Sequence, residues 1–124
     1  MGITNYAQAQ CYQCTGSAFS IGAGTASGNN SFAGGYQSVT STDNSFVFGN
    51  EAKVYGLRGI ALGNEANVYQ TDGIAIGNRA ISNALNSYVF GKDITGSGSN
   101  SITIGVGASS LSPLVNNKSN SSLA

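Results

Sequence analysis

The chain has no tryptophan and no histidine, and only one proline and one methionine, in 124 residues. Charge is equally scarce. Five basic and five acidic side chains make up 8% of the residues and cancel, where an ordinary soluble domain carries roughly 25%. A neutral chain of this kind has no electrostatic attraction for nucleic acid or for an anionic membrane. Without histidine, the single pair Cys11 and Cys14 lacks the further ligands that a structural zinc site needs. No metal or other cofactor is expected. A redox role for this C-x-x-C would need a βαβ context, which nothing here supplies. A local disulfide, or cross-links between neighbouring chains outside the cell, is the plainer expectation. No apolar run approaches the roughly 18 residues of a membrane helix, so this segment is not expected to insert in a membrane. Met1-Gly2 opens no intact signal peptide, although Ala7-Gln8-Ala9-Gln10 resembles the small-residue end of one.

What the chain does have is glycine, 18 in all, placed with a fixed period. The pentapeptides SFVFG, GIALG, GIAIG and SYVFG begin at Ser45, Gly59, Gly73 and Ser87, 14 residues apart. A fixed period dictates architecture before local propensity does. Extended in both directions, it defines seven units starting at Ala18, Ser31, Ser45, Gly59, Gly73, Ser87 and Ser101. The first unit is one residue short. Position five is always glycine: Gly22, Gly35, Gly49, Gly63, Gly77, Gly91 and Gly105. Positions two and four are bulky and apolar, except that Gly34 breaks the rule at position four. Positions eight (Thr25, Ser38, Ala52, Ala66, Ala80, Ile94, Ala108) and ten (Ser27, Thr40, Val54, Val68, Ser82, Gly96, Ser110) are mostly small.

Alternation of small and bulky residues over positions one to five is strand period two. Positions eight and ten form a second strand with one wet face. Between the strands stand Gly-Asn pairs, such as Gly49-Asn50 and Gly63-Asn64, suited to positive φ. Each unit is therefore expected to be a coil of strand, tight turn, strand, turn. Seven coils stacked in parallel at about 4.8 Å make a prism about 33 Å tall. Two orientations fit. In the favoured one, the small positions one, three, five, eight and ten fill a flat interior. Phe46, Phe48, Ile60, Leu62, Ile74, Ile76, Tyr88, Phe90, Ile102 and Ile104 then form an outer apolar ladder that must be buried in a partner. In the other, positions two and four turn inward. The favoured orientation implies an obligate oligomer.

The second strand presents further ladders. Position seven stacks Glu51, Glu65, Arg79 and Asp93, where Glu65, Arg79 and Asp93 are expected to pair vertically. Arg58 and Asp72 share position fourteen and are expected to pair. Exposed surface pairs of this kind are worth about 0–1 kcal/mol. A ligand-contacting stripe would comprise Glu51, Lys53, Tyr55, Glu65, Asn67 and Tyr69, since exposed aromatics are effective contact residues. Residues 1–17 do not fit the repeat and are expected to cap it. Residues 18–110 are the repeat domain. Residues 111–124, where Pro113 is expected to stop strand pairing, read as a second cap and a polar linker to further chain.

The units G-I-A-L-G-N-E-A-N-V at Gly59–Val68, G-I-A-I-G-N-R-A-I-S at Gly73–Ser82 and S-I-T-I-G-V-G-A-S-S at Ser101–Ser110 resemble the head repeat of trimeric autotransporter adhesins, the YadA-like head. The resemblance covers residues 18–110. It implies an all-β fold, a left-handed parallel β-roll (a solenoid) of about seven coils, assembled as a homotrimer with the apolar ladder on the threefold axis. It also implies a bacterial cell-surface location, anchored in the outer membrane through other regions. The implied function is attachment to a host matrix protein or cell-surface glycan, or autoaggregation. No heptad stalk, anchor or neck motif follows the repeats within these residues. A spacer segment of a trimeric surface fibre or phage tail fibre is the alternative.

Catalysis is not expected. The five acidic residues are Asp43, Glu51, Glu65, Asp72 and Asp93. Glu51 and Glu65 stack on adjacent coils at about the separation of a retaining glycosidase pair, but on a flat outer surface without a cleft. The Gly-x-Gly pieces open no helix after a strand, so no nucleotide site follows.

Overall fold

The computed structural model describes residues 16–107 and 113–117, and among them there is no helix. In chain order the strands are β1 (Phe19–Ile21), β2 (Thr25–Ala26), β3 (Phe32–Gly34), β4 (Val39–Thr40), β5 (Phe46–Phe48), β6 (Lys53–Val54) and β7 (Ile60–Leu62). They continue as β8 (Asn67–Val68), β9 (Ile74–Ile76), β10 (Ala80–Ser82), β11 (Ser87–Lys92), β12 (Ile94–Gly96), β13 (Ser101–Val106) and β14 (Pro113–Asn117). Odd-numbered strands and β14 form one sheet, in the order β1-β3-β5-β7-β9-β11-β13-β14. The even-numbered strands β2 to β12 form the other. Every neighbour from β1 to β13 is parallel, and the pairs Phe46↔Ile60 and Ile60↔Ile74 show the 14-residue step directly. The result is a β-solenoid of six complete coils and the first strand of a seventh. The rest of that seventh coil, including Ala108 and Ser110, lies outside the described residues, as do Cys11 and Cys14.

Two details of the sequence reading change. The short first coil pairs Thr25 with Val39 and Ala26 with Thr40. Its inward residues are therefore Gly24 and Ala26, both buried, and not Thr25 and Ser27. The missing residue falls in the turn, so the strands keep their parity. At the other end, Pro113 does not stop pairing. It opens β14, which runs antiparallel along β13 with an irregularity between Ile104 and Gly105. The first residue of a strand is one of the few sheet positions that tolerate proline.

The turns also differ from expectation. In the second to sixth coils, positive φ after the first strand falls on glycine at position five and on position seven, not on the residue between them. Gly63 has φ 134° and Glu65 has φ 56°. Gln37, Glu51, Arg79 and Asp93 match Glu65, and position fourteen repeats the conformation at Asn30, Asn44, Arg58, Asp72, Asn86 and Asn100. A left-handed residue other than glycine costs of order 1–3 kcal/mol. Here it turns an N–H onto the coil before. Glu65 donates to the Asn50 carbonyl at 2.8 Å, Arg79 to Asn64 at 2.8 Å and Asp72 to Leu57 at 2.9 Å. Both corners thus join the hydrogen-bonded ladder.

The interior is thin. Val47, Val54, Val68 and Val89 are the largest fully buried apolar side chains, packed with Ala52, Ala61, Ala66, Ala75 and Ala80. Facing positions complement one another in size. A Cβ on Gly59 would lie 2.6 Å from Cγ1 of Val54, so glycine at position one makes room for valine at position ten. At Ser31, Ser45 and Ser101 the position-one hydroxyl closes the preceding turn, whereas that of Ser87 donates across the coil to the Gly96 carbonyl at 3.4 Å. Ser31 donates to the Gly28 carbonyl at 2.5 Å and Ser45 to that of Thr42 at 2.6 Å. These buried hydroxyls are satisfied, as burial requires.

Candidate functional site

With positions one, three, eight and ten inside, positions two and four point outward from the long-stranded sheet. The structure decides between the two orientations left open by the sequence. Phe46 and Phe48 are exposed, Phe48 by 50%. Ile60, Leu62, Ile74, Ile76, Tyr88, Phe90, Ile102 and Ile104 are half-buried. The upper end is aromatic. Phe32 stacks on Phe19 at 5.6 Å and on Phe46 at 4.8 Å between ring centroids. The Gly34 exception has a packing reason. A Cβ there would lie 2.7 Å from Cδ2 of Phe48 and 3.0 Å from Cε1 of Phe32, so both rings lean over the glycine and fill its place. Leu57 and Leu85, at position thirteen, are also exposed. The sequence reading passed over them because position thirteen otherwise holds polar residues.

The opposite surface, on the short-stranded sheet, carries four of the six residues expected in the stripe, Lys53, Tyr55, Asn67 and Tyr69. Lys53 and Asn67 are register partners on β6 and β8. One position past each strand, Tyr55 and Tyr69 stack with centroids 5.6 Å apart and planes 10° off parallel. Both rings are exposed. Glu51 and Glu65 do not share that face; they sit at the left-handed corner. Asn67 donates to the Glu65 carbonyl at 2.9 Å and so ties the corner to the strand.

Charge is arranged along the two corners. Arg58 and Asp72 form a two-pronged pair, Nε to Oδ1 at 2.6 Å and a terminal guanidinium nitrogen to Oδ2 at 2.7 Å. Hydrogen bonding to Arg58, helped by its charge, holds the Asp72 carboxyl below its ordinary value, and the same bonds raise Arg58. Arg79 pairs with Asp93, which Lys92 also approaches at 3.5 Å. Among the described residues no ion pair joins Glu65 to Arg79, contrary to the expected continuous ladder. Glu65 instead accepts from Asn64 Nδ2 at 3.0 Å. The sequence reading missed the amide ladders: Asn50 donates to Asn64 at 3.0 Å and Asn86 to Asn100 at 2.7 Å. Asparagine recurring every 14 residues was the signal for them.

These features define a class: a repeat solenoid with two unlike outer faces, one apolar and one polar with paired aromatics. Two copies of the YadA head domain repeat match the chain, over residues 26–52 and 55–87. No curated protein and no solved structure matches it. The chain therefore carries a YadA-like head domain. Heads of this kind belong to surface-exposed autotransporter adhesins, a family that is non-enzymatic in general.

Proposed function

We propose that the chain is the head of a homotrimeric bacterial surface adhesin. The observation that carries this is the outward ladder from Phe46 to Ile104 on a coil whose interior holds nothing larger than valine and one isoleucine. Two bulky apolar side chains per coil, each worth about 1.5–3 kcal/mol on full burial, stand outside the monomer's own core. Three copies meeting on this face would bury them. The polar face with Tyr55, Tyr69 and Lys53 then points outward in triplicate, which raises avidity without new contacts. Its partner would be a host matrix protein or cell-surface glycan, or another head in autoaggregation. Outer-membrane anchoring would come from other parts of the protein. We further assign residues 111–124 a capping and linking role, supported by the way β14 covers the free edge of β13.

Light scattering tests the assembly: a mass three times the 12.5 kDa of the chain is expected. A folded monomer at micromolar concentration overturns the trimer. Ile74→Ser combined with Ile76→Ser should shift the mass toward monomer. Attachment is tested separately, by binding of the trimer to immobilised matrix proteins, glycans and cells. Unchanged attachment after Tyr55→Ala, Tyr69→Ala and Lys53→Ala would favour a spacer role over an adhesive one.

A further inference from the structure

Tyr55 and Tyr69 are the one pair of tyrosines stacked on adjacent coils among the described residues. Their ring centroids are 5.6 Å apart with planes 10° off parallel. Backbone hydrogen bonds hold the coils beneath them in register. Tyr55 N–H donates to the Val68 carbonyl at 2.8 Å, and Tyr69 N–H to that of Ser82 at 2.9 Å. The rings are 45% and 43% exposed, so a dissolved oxidant reaches them. The two other described tyrosines are placed differently. Tyr36 is followed one coil later by Asn50, and Tyr88 lies between its register partners Ile74 and Ile102. The chain has no tryptophan and a single methionine, Met1, to compete as electron donors within the coils.

We propose that Tyr55 and Tyr69 form an oxidative cross-linking site, joined as dityrosine when hydrogen peroxide and a haem peroxidase supply a one-electron oxidant. Each phenol gives up one electron and one proton and becomes a tyrosyl radical. The two radicals couple through a ring carbon ortho to each oxygen, forming one carbon–carbon bond. The two hydrogens on those carbons move through solvent to the phenolic oxygens, which restores both aromatic rings. The two electrons and two protons removed at the start reduce one hydrogen peroxide to two waters. The product is lighter than the two tyrosines by two hydrogens. Free radicals must meet by diffusion, whereas these two rings are already in contact. Held proximity of this kind raises the rate of the internal reaction over the intermolecular one. The bond ties the third coil to the fourth on the outer face, away from the apolar ladder, and does not depend on what covers that ladder.

The experiment treats the intact protein with peroxidase and peroxide, then separates chains on a denaturing gel. Trypsin cleaves after Lys53, Arg58 and Arg79, which places the two tyrosines in different peptides, 54–58 and 59–79. In material migrating as a single chain, the expected main dityrosine product is these two peptides joined, minus two hydrogens. It should vanish in Tyr55→Phe and in Tyr69→Phe, which keep the ring stack and fold, and persist in Tyr36→Phe. A synthetic peptide of residues 50–74, which has the same two tyrosines without neighbouring coils, should give an internal yield lower by about tenfold. Equal yield in the peptide, or products dominated by Tyr36, Tyr88 or links between chains, overturns the proposal.

Discussion

Gly63→Ala is the substitution that tests the solenoid most directly. Gly63 has φ 134°, a conformation that L side chains rarely adopt. An added Cβ would stand 2.4 Å from the carbonyl oxygen of Gly77 and 2.7 Å from its carbonyl carbon. These are backbone atoms of the next coil, so no side-chain rotation relieves the contact. The coils must part locally or the turn must change its dihedrals. Strain at such a φ costs of order 1–3 kcal/mol, and overpacking a close-packed site costs a further 1–3 kcal/mol or so. The lower entropy of the unfolded Ala chain returns only about 0.4–1 kcal/mol. The net loss should be about 3 kcal/mol. Gly22→Ala is the internal control. Its φ is 70°, but the nearest atom to the added Cβ is 3.6 Å away, so only the dihedral cost remains, about 1 kcal/mol. Both variants would be compared with the parent by urea denaturation, followed by circular dichroism at one fixed protein concentration, because association shifts the midpoint. Equal losses at the two sites would show that close stacking of the glycine column contributes nothing. A loss below about 0.5 kcal/mol at Gly63, the range of an ordinary surface substitution, would refute the coil geometry itself.

Val54→Ala removes two fully buried methyl groups from a core with little room to relax, and should cost about 1.5–3 kcal/mol in the same denaturation assay. Ala61→Val adds two methyl groups at a fully buried position and should cost about 1–3 kcal/mol. The Asp72 carboxyl is depressed in the folded state, so its pairing with Arg58 stabilises at pH above the ordinary value of 3.8 and is lost as pH falls through the lower folded value. The melting temperatures of the parent and Arg58→Gln should therefore differ at neutral pH and converge in acid. Gly34→Leu should push the Phe48 ring off the upper end of the apolar face, and the change should appear as weaker assembly in sedimentation at dilute concentration.

The architecture was legible because the fold is written as a column code. Seven glycines at one position, with small and bulky residues alternating around them, leave few ways to stack. The faces were legible for the same reason, since Val47 and Ala61 are small where Phe46 and Ile60 are not. What stayed hidden depended on which residue bears a local cost. Nothing in the letters of Gly63-Asn64-Glu65 says that the glutamate, not the asparagine, goes left-handed. That choice follows from the N–H of position seven reaching the preceding coil. The deletion in the first coil was hidden for a related reason. Counting from Ala18 puts it after position ten, whereas pairing of Ala26 with Thr40 puts it in the turn. The Tyr55–Tyr69 column was readable from spacing alone. Its neighbour Asn67 was not readable as a link to the Glu65 carbonyl, because that bond depends on a side-chain rotamer.

The thinness of the interior bears on where function can reside. Each coil orders 14 residues, and backbone ordering alone costs about 1–2 kcal/mol per residue. Against this, one coil buries side chains no larger than those of Ala61, Ala66 and Val68, with Gly59 adding none. No coil can hold itself together with so little. Stability has to come from neighbours, as nearest-neighbour stacking does in other solenoids, and from whatever covers the bulky face. Positions one to five are fixed from both sides: small side chains by the interior, bulky ones by the outer contact, glycine by the next coil's backbone. Position eight and position ten are fixed by the interior. Positions nine and eleven answer to neither constraint. They hold Val39, Lys53, Asn67 and Ile81 in one column, and Ser41, Tyr55, Tyr69 and Asn83 in the other. Side chains that vary this freely on a rigid, repeated frame are the ones that selection can change without cost to the fold. The recognition surface proposed for this chain is therefore expected on the second strand, centred on the two stacked tyrosines.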